Sequence, residues 1–218
     1  MIRKSLMVGL ISIAATQLTP FAYADDKPVG ITASLMSVEV MHNGEAVTIE
    51  RNADNQNTVN PNFALTSRPC PPFCIQPMKL AEGVETIGEV EMLEYLARMS
   101  QGDETILVID SRTPDWAARG MIPGAVNLPW TQLSTSRGAD PISIADIFIE
   151  EFGAEEFDGL WKFSNAKTLV LYCNGMWCGQ SPTNIRSLLD FGYPAAKIKW
   201  YRGGMQNWEN LGLTTVKP

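Results

Sequence analysis

Thr168-Leu169-Val170-Leu171-Tyr172-Cys173-Asn174-Gly175-Met176-Trp177-Cys178-Gly179-Gln180-Ser181-Pro182 decides how this chain folds. Its first five residues are an unbroken β-prone run, the composition of a strand covered on both faces. The loop that follows holds two cysteines and two glycines. Ser181-Pro182 then reads as a helix start, with Ser as N-cap and Pro in the first helical position. Strand, tight loop and helix in this order form half of a parallel crossover unit.

The same alternation extends in both directions. Residues 105–109 are a second continuous apolar strand, and residues 125–128 and 198–201 read as two more. Helical patterns cover residues 115–119, 142–152, 182–191 and 205–211. Thr86 followed by Glu89 has the form of a capping box, opening a helix whose apolar face is Val90, Leu93, Leu96 and Ala97. The expected fold is therefore α/β: three layers, with a central parallel sheet flanked by helices, spanning residues 84–218.

Ahead of this domain, residues 25–83 read as an N-terminal extension. Residues 34–40 and 46–51 alternate as two strands around Asn43-Gly44, which readily adopts the positive φ angles of a β-hairpin turn. Residues 52–77, rich in Asn and Pro, show neither period and are expected to lie on the main domain as an irregular connector. Residues 1–24 have the order of a cleavable secretory signal: Arg3 and Lys4, an apolar run, then Ala22-Tyr23-Ala24. That run is too short for a bilayer core needing about twenty apolar residues. We expect export, most simply to a periplasm, with no membrane span after signal removal.

Composition narrows the chemistry. Seventeen basic residues against twenty-four acidic ones, with no Lys/Arg block, exclude a nucleic-acid surface. His42 is the sole histidine, which argues against Ser-His-Asp and Cys-His catalysis and against multi-histidine metal sites. It is expected to be a solvated turn residue. No cofactor and no metal is called for. What remains is sulfur. A cysteine at a strand terminus, facing loop amides and a helix N-terminus, lies in positive potential and favours thiolate. The alternative is that Cys173 and Cys178 are simply a buried or bridged loop pair.

The sequence resembles the rhodanese (sulfurtransferase) family over roughly residues 84–216. The likeness rests on Asp110-Ser111-Arg112, Gly120-Met121-Ile122-Pro123-Gly124-Ala125, the strand into Cys173, Gly192-Tyr193, and Arg202-Gly203-Gly204 with Trp208. Met121 stands where the family has His. The resemblance implies that Cys173 is the sulfur-carrying nucleophile and that Asn174, Gly175, Met176, Trp177, Gly179, Gln180 and Ser181 form its cradle. Asp110 and Arg112 are then structural supports. The loop is longer than family loops commonly are, and Gln180 stands where many carry Arg or Lys, so weakened thiosulfate binding is expected. The partners implied are a small sulfur-containing donor and a thiol or protein acceptor.

Cys178 is a possible resolving thiol, able to attack a Cys173 persulfide and leave a disulfide. This gives a rival function, a thiol-disulfide redox module; a non-catalytic binding domain is the other. Met176 and Trp177 are expected either to give the loop an apolar rim suited to a protein or lipid-like partner or simply to pack on the domain. Four cysteines allow three pairings. In an oxidising compartment Cys70 with Cys74 is the favoured bridge, leaving Cys173 and Cys178 free or reversibly bridged.

Overall fold

The computed structural model describes residues 28–218, so the expected signal at 1–24 lies outside the described residues. In chain order the strands are β1 (Ser37–His42), β2 (Glu45–Glu50), β3 (Glu85–Ile87), β4 (Ile106–Asp110), β5 (Val126–Asn127), β6 (Glu155–Phe157), β7 (Leu160–Lys162), β8 (Thr168–Tyr172) and β9 (Ile198–Tyr201). The α-helices are α1 (Glu89–Ser100), α2 (Pro114–Ala117), α3 (Pro141–Asp146), α4 (Gln180–Asp190) and α5 (Gly204–Asn210). Five strands make one sheet in the order β3-β9-β8-β4-β5, every neighbouring pair parallel. The expected α/β architecture with a central parallel sheet and an N-terminal hairpin is what the chain adopts.

Two apolar layers clasp this sheet, and strand alternation assigns residues to them. Val170 and Tyr172 of β8, with Val108 of β4, face Met92, Leu93 and Leu96 of α1 and Met205 and Trp208 of α5. Leu169 and Leu171, with Leu107 and Ile109, face Ile144 of α3 and Ile185 and Leu188 of α4 on the other side. Each such side chain removed from water contributes about 1.5–3 kcal/mol. The β1-β2 hairpin joins the first layer through Val40 and Ile49, and the chain after β2 is tied to the C-terminal segment by Asn52 N–H to the Gly212 carbonyl at 2.7 Å.

Several local expectations are corrected. Thr86 lies in β3, and α1 is capped at Gly88, whose N–H donates to the Glu91 carboxylate at 2.9 Å. Glu89, the expected Glu of the box, is the first helical residue; Glu91 takes that place, and the cap has no hydroxyl. Residues 142–152 do not form one α-helix: α3 passes into a π-helical turn, Ile147–Glu151, which brings Phe148 and Phe152 into the core together. Ser181 is inside α4, whose N-cap is Gly179. His42 is half-buried; its Nδ1 accepts the Gly124 N–H at 3.3 Å and its Nε2 donates to the Lys217 carbonyl at 3.0 Å. β6 and β7 form a small hairpin that the periodicity did not reveal. Among the described residues no helix is long and apolar enough to cross a membrane.

Candidate active site

Cys173 is the first residue beyond β8, at the carboxyl end of a central strand, where crevices form in sheets of this kind. The first turn of α5 fixes the backbone of its loop. The amides of Met205 and Gln206 donate to the carbonyls of Cys173 and Asn174 at 3.0 and 2.9 Å. This approach requires Gly204, which has a φ of +55°; a Cβ there would collide with the Cys173 carbonyl oxygen and come within 2.8 Å of the Gly175 nitrogen.

Cys173 and Cys178 are both free thiols and both buried. The Ser181 hydroxyl donates to the Cys173 sulfur at 3.1 Å, and Trp200 Nε1–H donates to the same hydroxyl oxygen at 3.1 Å. Burial alone pushes the Cys173 thiol upward. It is outweighed by the neighbouring Cys178 thiol and by hydrogen bonds from the Ser181 hydroxyl and the Ser181 and Gly175 amides, which bring the pKa down to about 7. Cys178 moves the opposite way: burial and the neighbouring Cys173 sulfur hold it protonated, well above the usual thiol range. Near neutrality Cys173 is thus poised to ionise while Cys178, whose Sγ donates to Gln180 Oε1 at 3.7 Å, stays protonated.

Beneath the loop lies a buried ion pair. Arg112 donates to Asp110 from Nε at 2.8 Å and from Nη2 at 2.5 Å, and Nη2 also reaches the Gly120 carbonyl at 2.6 Å. The Tyr172 hydroxyl donates to the same carboxylate at 3.1 Å and accepts the Ile122 N–H at 3.1 Å. Asp110 and Arg112 therefore join β4, β8 and the 120–122 turn. The Arg112 charge also favours an ionised Cys173.

A cavity of about 340 Å³ lies beside the loop, with Asn174, Cys178, Gly179 and Gln180 among its lining residues. Cys173, 2% exposed, does not line it, whereas Cys178 does.

The rhodanese-like domain pattern matches residues 92–211, more than half of the chain. The chain belongs to the rhodanese-like domain family. A curated relative, an HTH-type transcriptional regulator of Mycobacterium tuberculosis, is 27% identical over 120 residues, covering 55% of this chain and 41% of that protein. The chain thus spans well under half the length of that relative. Among solved structures, a human single-domain sulfurtransferase is 22% identical, covers 57% of this chain and 95% of its own, and has a TM-score of 0.38. A thiosulfate sulfurtransferase from Pseudomonas aeruginosa is 15% identical over 62% of this chain and 20% of its own, with a TM-score of 0.39.

The connector ahead of the matched rhodanese-like segment completes the site. Gln76 N–H donates to the Met176 carbonyl at 2.8 Å, and Arg202 clamps the Gln76 carbonyl from Nε and Nη2 at 3.1 and 2.7 Å. Phe73 meets Trp177 edge to face, 5.6 Å between centroids, and the Arg68 guanidinium lies over the Trp177 ring at 3.7 Å. Cys70 and Cys74, bridged to each other, hold the segment between these two contacts. Trp177 is consequently 8% exposed and its indole N–H donates to Gln206, so of the two expectations for it packing on the domain is the one met. Arg68, Trp116, Trp130 and Arg137, all cavity-lining, escaped the sequence reading. Only the Pro-rich, two-cysteine stretch around Arg68 signals a segment held in a fixed position.

Proposed function

We propose that the protein is an exported sulfurtransferase that carries a sulfane sulfur on Cys173. The observation that carries this reading is the set of donors around the Cys173 sulfur, the Ser181 hydroxyl and the Ser181 and Gly175 amides, in a rhodanese-like domain whose neighbouring loop residues line a cavity. The thiolate attacks the terminal sulfane sulfur of the donor. A new S–S bond forms at Cys173, the donor's own S–S bond breaks, and its electron pair departs with the anionic leaving group. An acceptor thiolate then takes the outer sulfur and returns Cys173 as thiolate. The donors that stabilise the thiolate also suit the charged persulfide.

The Cys70–Cys74 bridge supports an oxidising compartment. Asp110 and Arg112 act as positioning residues. The test is transfer from a sulfane donor to a thiol acceptor: Cys173→Ser abolishes it, and retained transfer overturns the assignment.

A second reading draws on Cys178, a free thiol whose carbonyl oxygen lies 3.6 Å from the Cys173 sulfur. Attack by the Cys178 sulfur on the inner sulfur of a Cys173 persulfide yields a Cys173–Cys178 disulfide and releases hydrosulfide; two external thiols then reset the pair in successive exchanges and leave as their own disulfide. Wild-type protein that accumulates this disulfide while Cys178→Ser accumulates persulfide would favour this route.

A further inference from the structure

We infer that the cavity recognises an organic anion, a sulfonate-type head on a flat apolar body, and that Arg68 of the N-terminal connector is its anion-binding residue. The transfer step of this inference rests on the function proposed above; the binding step does not.

Donors and walls point the same way. Three buried N–H-bearing nitrogens on cavity-lining residues, Arg68 Nε, Arg68 Nη2 and Trp130 Nε1, have no hydrogen-bond partner among the described residues. The unpartnered acceptor among the cavity-lining residues is the Asn174 amide oxygen. A site with donors in excess is matched by a ligand rich in acceptors. The guanidinium of Arg68 spends its face on the Trp177 ring, which leaves its in-plane N–H edges for a planar or tetrahedral oxyanion. Arg137 lies over the Trp130 ring at 5.0 Å and supplies a second cation. The chain carries a net charge of −7, so two arginines beside one cavity are a local reversal of sign that draws anions to that place.

Size and lining exclude a bare inorganic anion as the best fit. About 340 Å³ falls in the range of cavities that hold small organic molecules, roughly 300–1,000 Å³. The walls are the rings of Phe73, Trp116, Trp130 and Trp177. An aromatic body stacked among them brings its acidic head to Arg68, in the cavity that Cys178 also lines. Gln180, which leaves the loop itself without a cation, is thereby compensated from a segment outside residues 92–211.

An aryl thiosulfonate is the donor of this shape. Cys173 thiolate attacks its terminal sulfur, the S–S bond of the thiosulfonate breaks, and the pair of electrons leaves with an aryl sulfinate. One persulfide and one sulfinate replace one thiolate and one thiosulfonate, with charge conserved.

Calorimetric titration with benzenesulfonate, which cannot transfer sulfur, tests the site apart from catalysis. Wild-type protein is expected to bind it at least tenfold more tightly than inorganic sulfate, and Arg68→Ala to lose about tenfold or more of that affinity, the scale of one hydrogen bond to a charged group. Arg68→Lys, which keeps the charge without the planar fork, should fall between the two, and thermal melting verifies that each variant is folded. Equal binding of sulfate and benzenesulfonate, or unchanged affinity in folded Arg68→Ala, overturns the inference. In a parallel arm, benzenethiosulfonate and thiosulfate are compared as donors for loading Cys173. Binding without loading defeats the sulfurtransferase reading and leaves the anion site standing; loading with Arg68-independent binding defeats only this inference.

Discussion

The hydroxyl of Ser181 lies 3.1 Å from the Cys173 sulfur, and because its oxygen already accepts the Trp200 indole N–H, its own hydrogen is directed at that sulfur. The residue that reads as a helix N-cap is therefore spent on the Cys173 sulfur. Cys173 occupies the strand end, Ser181 the first turn of α4, and Trp200 the neighbouring strand β9, so three elements converge on one ionisation.

Replacing Ser181 by Ala removes a hydrogen bond to a charged group, worth about 1.5–3 kcal/mol. The Cys173 titration moves upward and reactivity near neutral pH falls, whereas at alkaline pH the variant approaches the wild type. Ultraviolet absorbance of the thiolate, followed across pH, reads the shift. An unmoved midpoint would remove Ser181 from the account.

In the wild type, sulfur loading should rise as pH passes upward through about 7, since the thiolate is the reactive form and its folded pKa sits there. Below that point the rate drops about tenfold per pH unit and above it the rate levels off. Cys178 stays protonated through this range. A single ionisation in the pre-steady-state loading profile is the expected record.

Gly204→Ala forces a Cβ against the Cys173 carbonyl and the Gly175 amide from a backbone in the left-handed region. A destabilisation of about 1–3 kcal/mol is expected from the backbone conformation alone. Loading should suffer more than stability, because the displaced backbone is the one that carries the sulfur. Thermal melts alongside loading rates separate the two effects.

Asp110→Asn strips the charge from the partner of a fully buried Arg112. Breaking such a pair typically costs about 3–5 kcal/mol, because one charge is left buried without compensation. Chemical denaturation should show that loss. Replacing both residues with apolar ones of similar volume is expected to cost less than Asp110→Asn, which distinguishes a positioning pair from a catalytic one.

The strand-loop-helix core was legible because a parallel sheet buried on both faces writes itself as unbroken apolar runs, as at residues 168–172 and 106–109. Helix boundaries were less so. Gly88 caps α1 with only its backbone, and the π-helical turn after Asp146 has no periodic signature that a short window exposes. The thiol pair and the Asp110-Arg112 support were visible as residues, but that Cys178 and not Cys173 lines the cavity depends on how the loop closes. Arg68 was out of reach for a different reason. Its position over Trp177 follows from a connector without periodicity, held by Gln76, Arg202 and the Cys70–Cys74 bridge, all long-range tertiary contacts or local covalent ones. The loss of a loop cation at Gln180 was readable, while its replacement from a distant segment was not.

The most direct test is intact-mass analysis of the protein after exposure to a sulfane-sulfur donor, followed by peptide mapping. The account predicts a gain of one sulfur atom on Cys173 in the wild type and none in Cys173→Ser. A sulfur found on Cys178, or undiminished loading in Cys173→Ser, would contradict it.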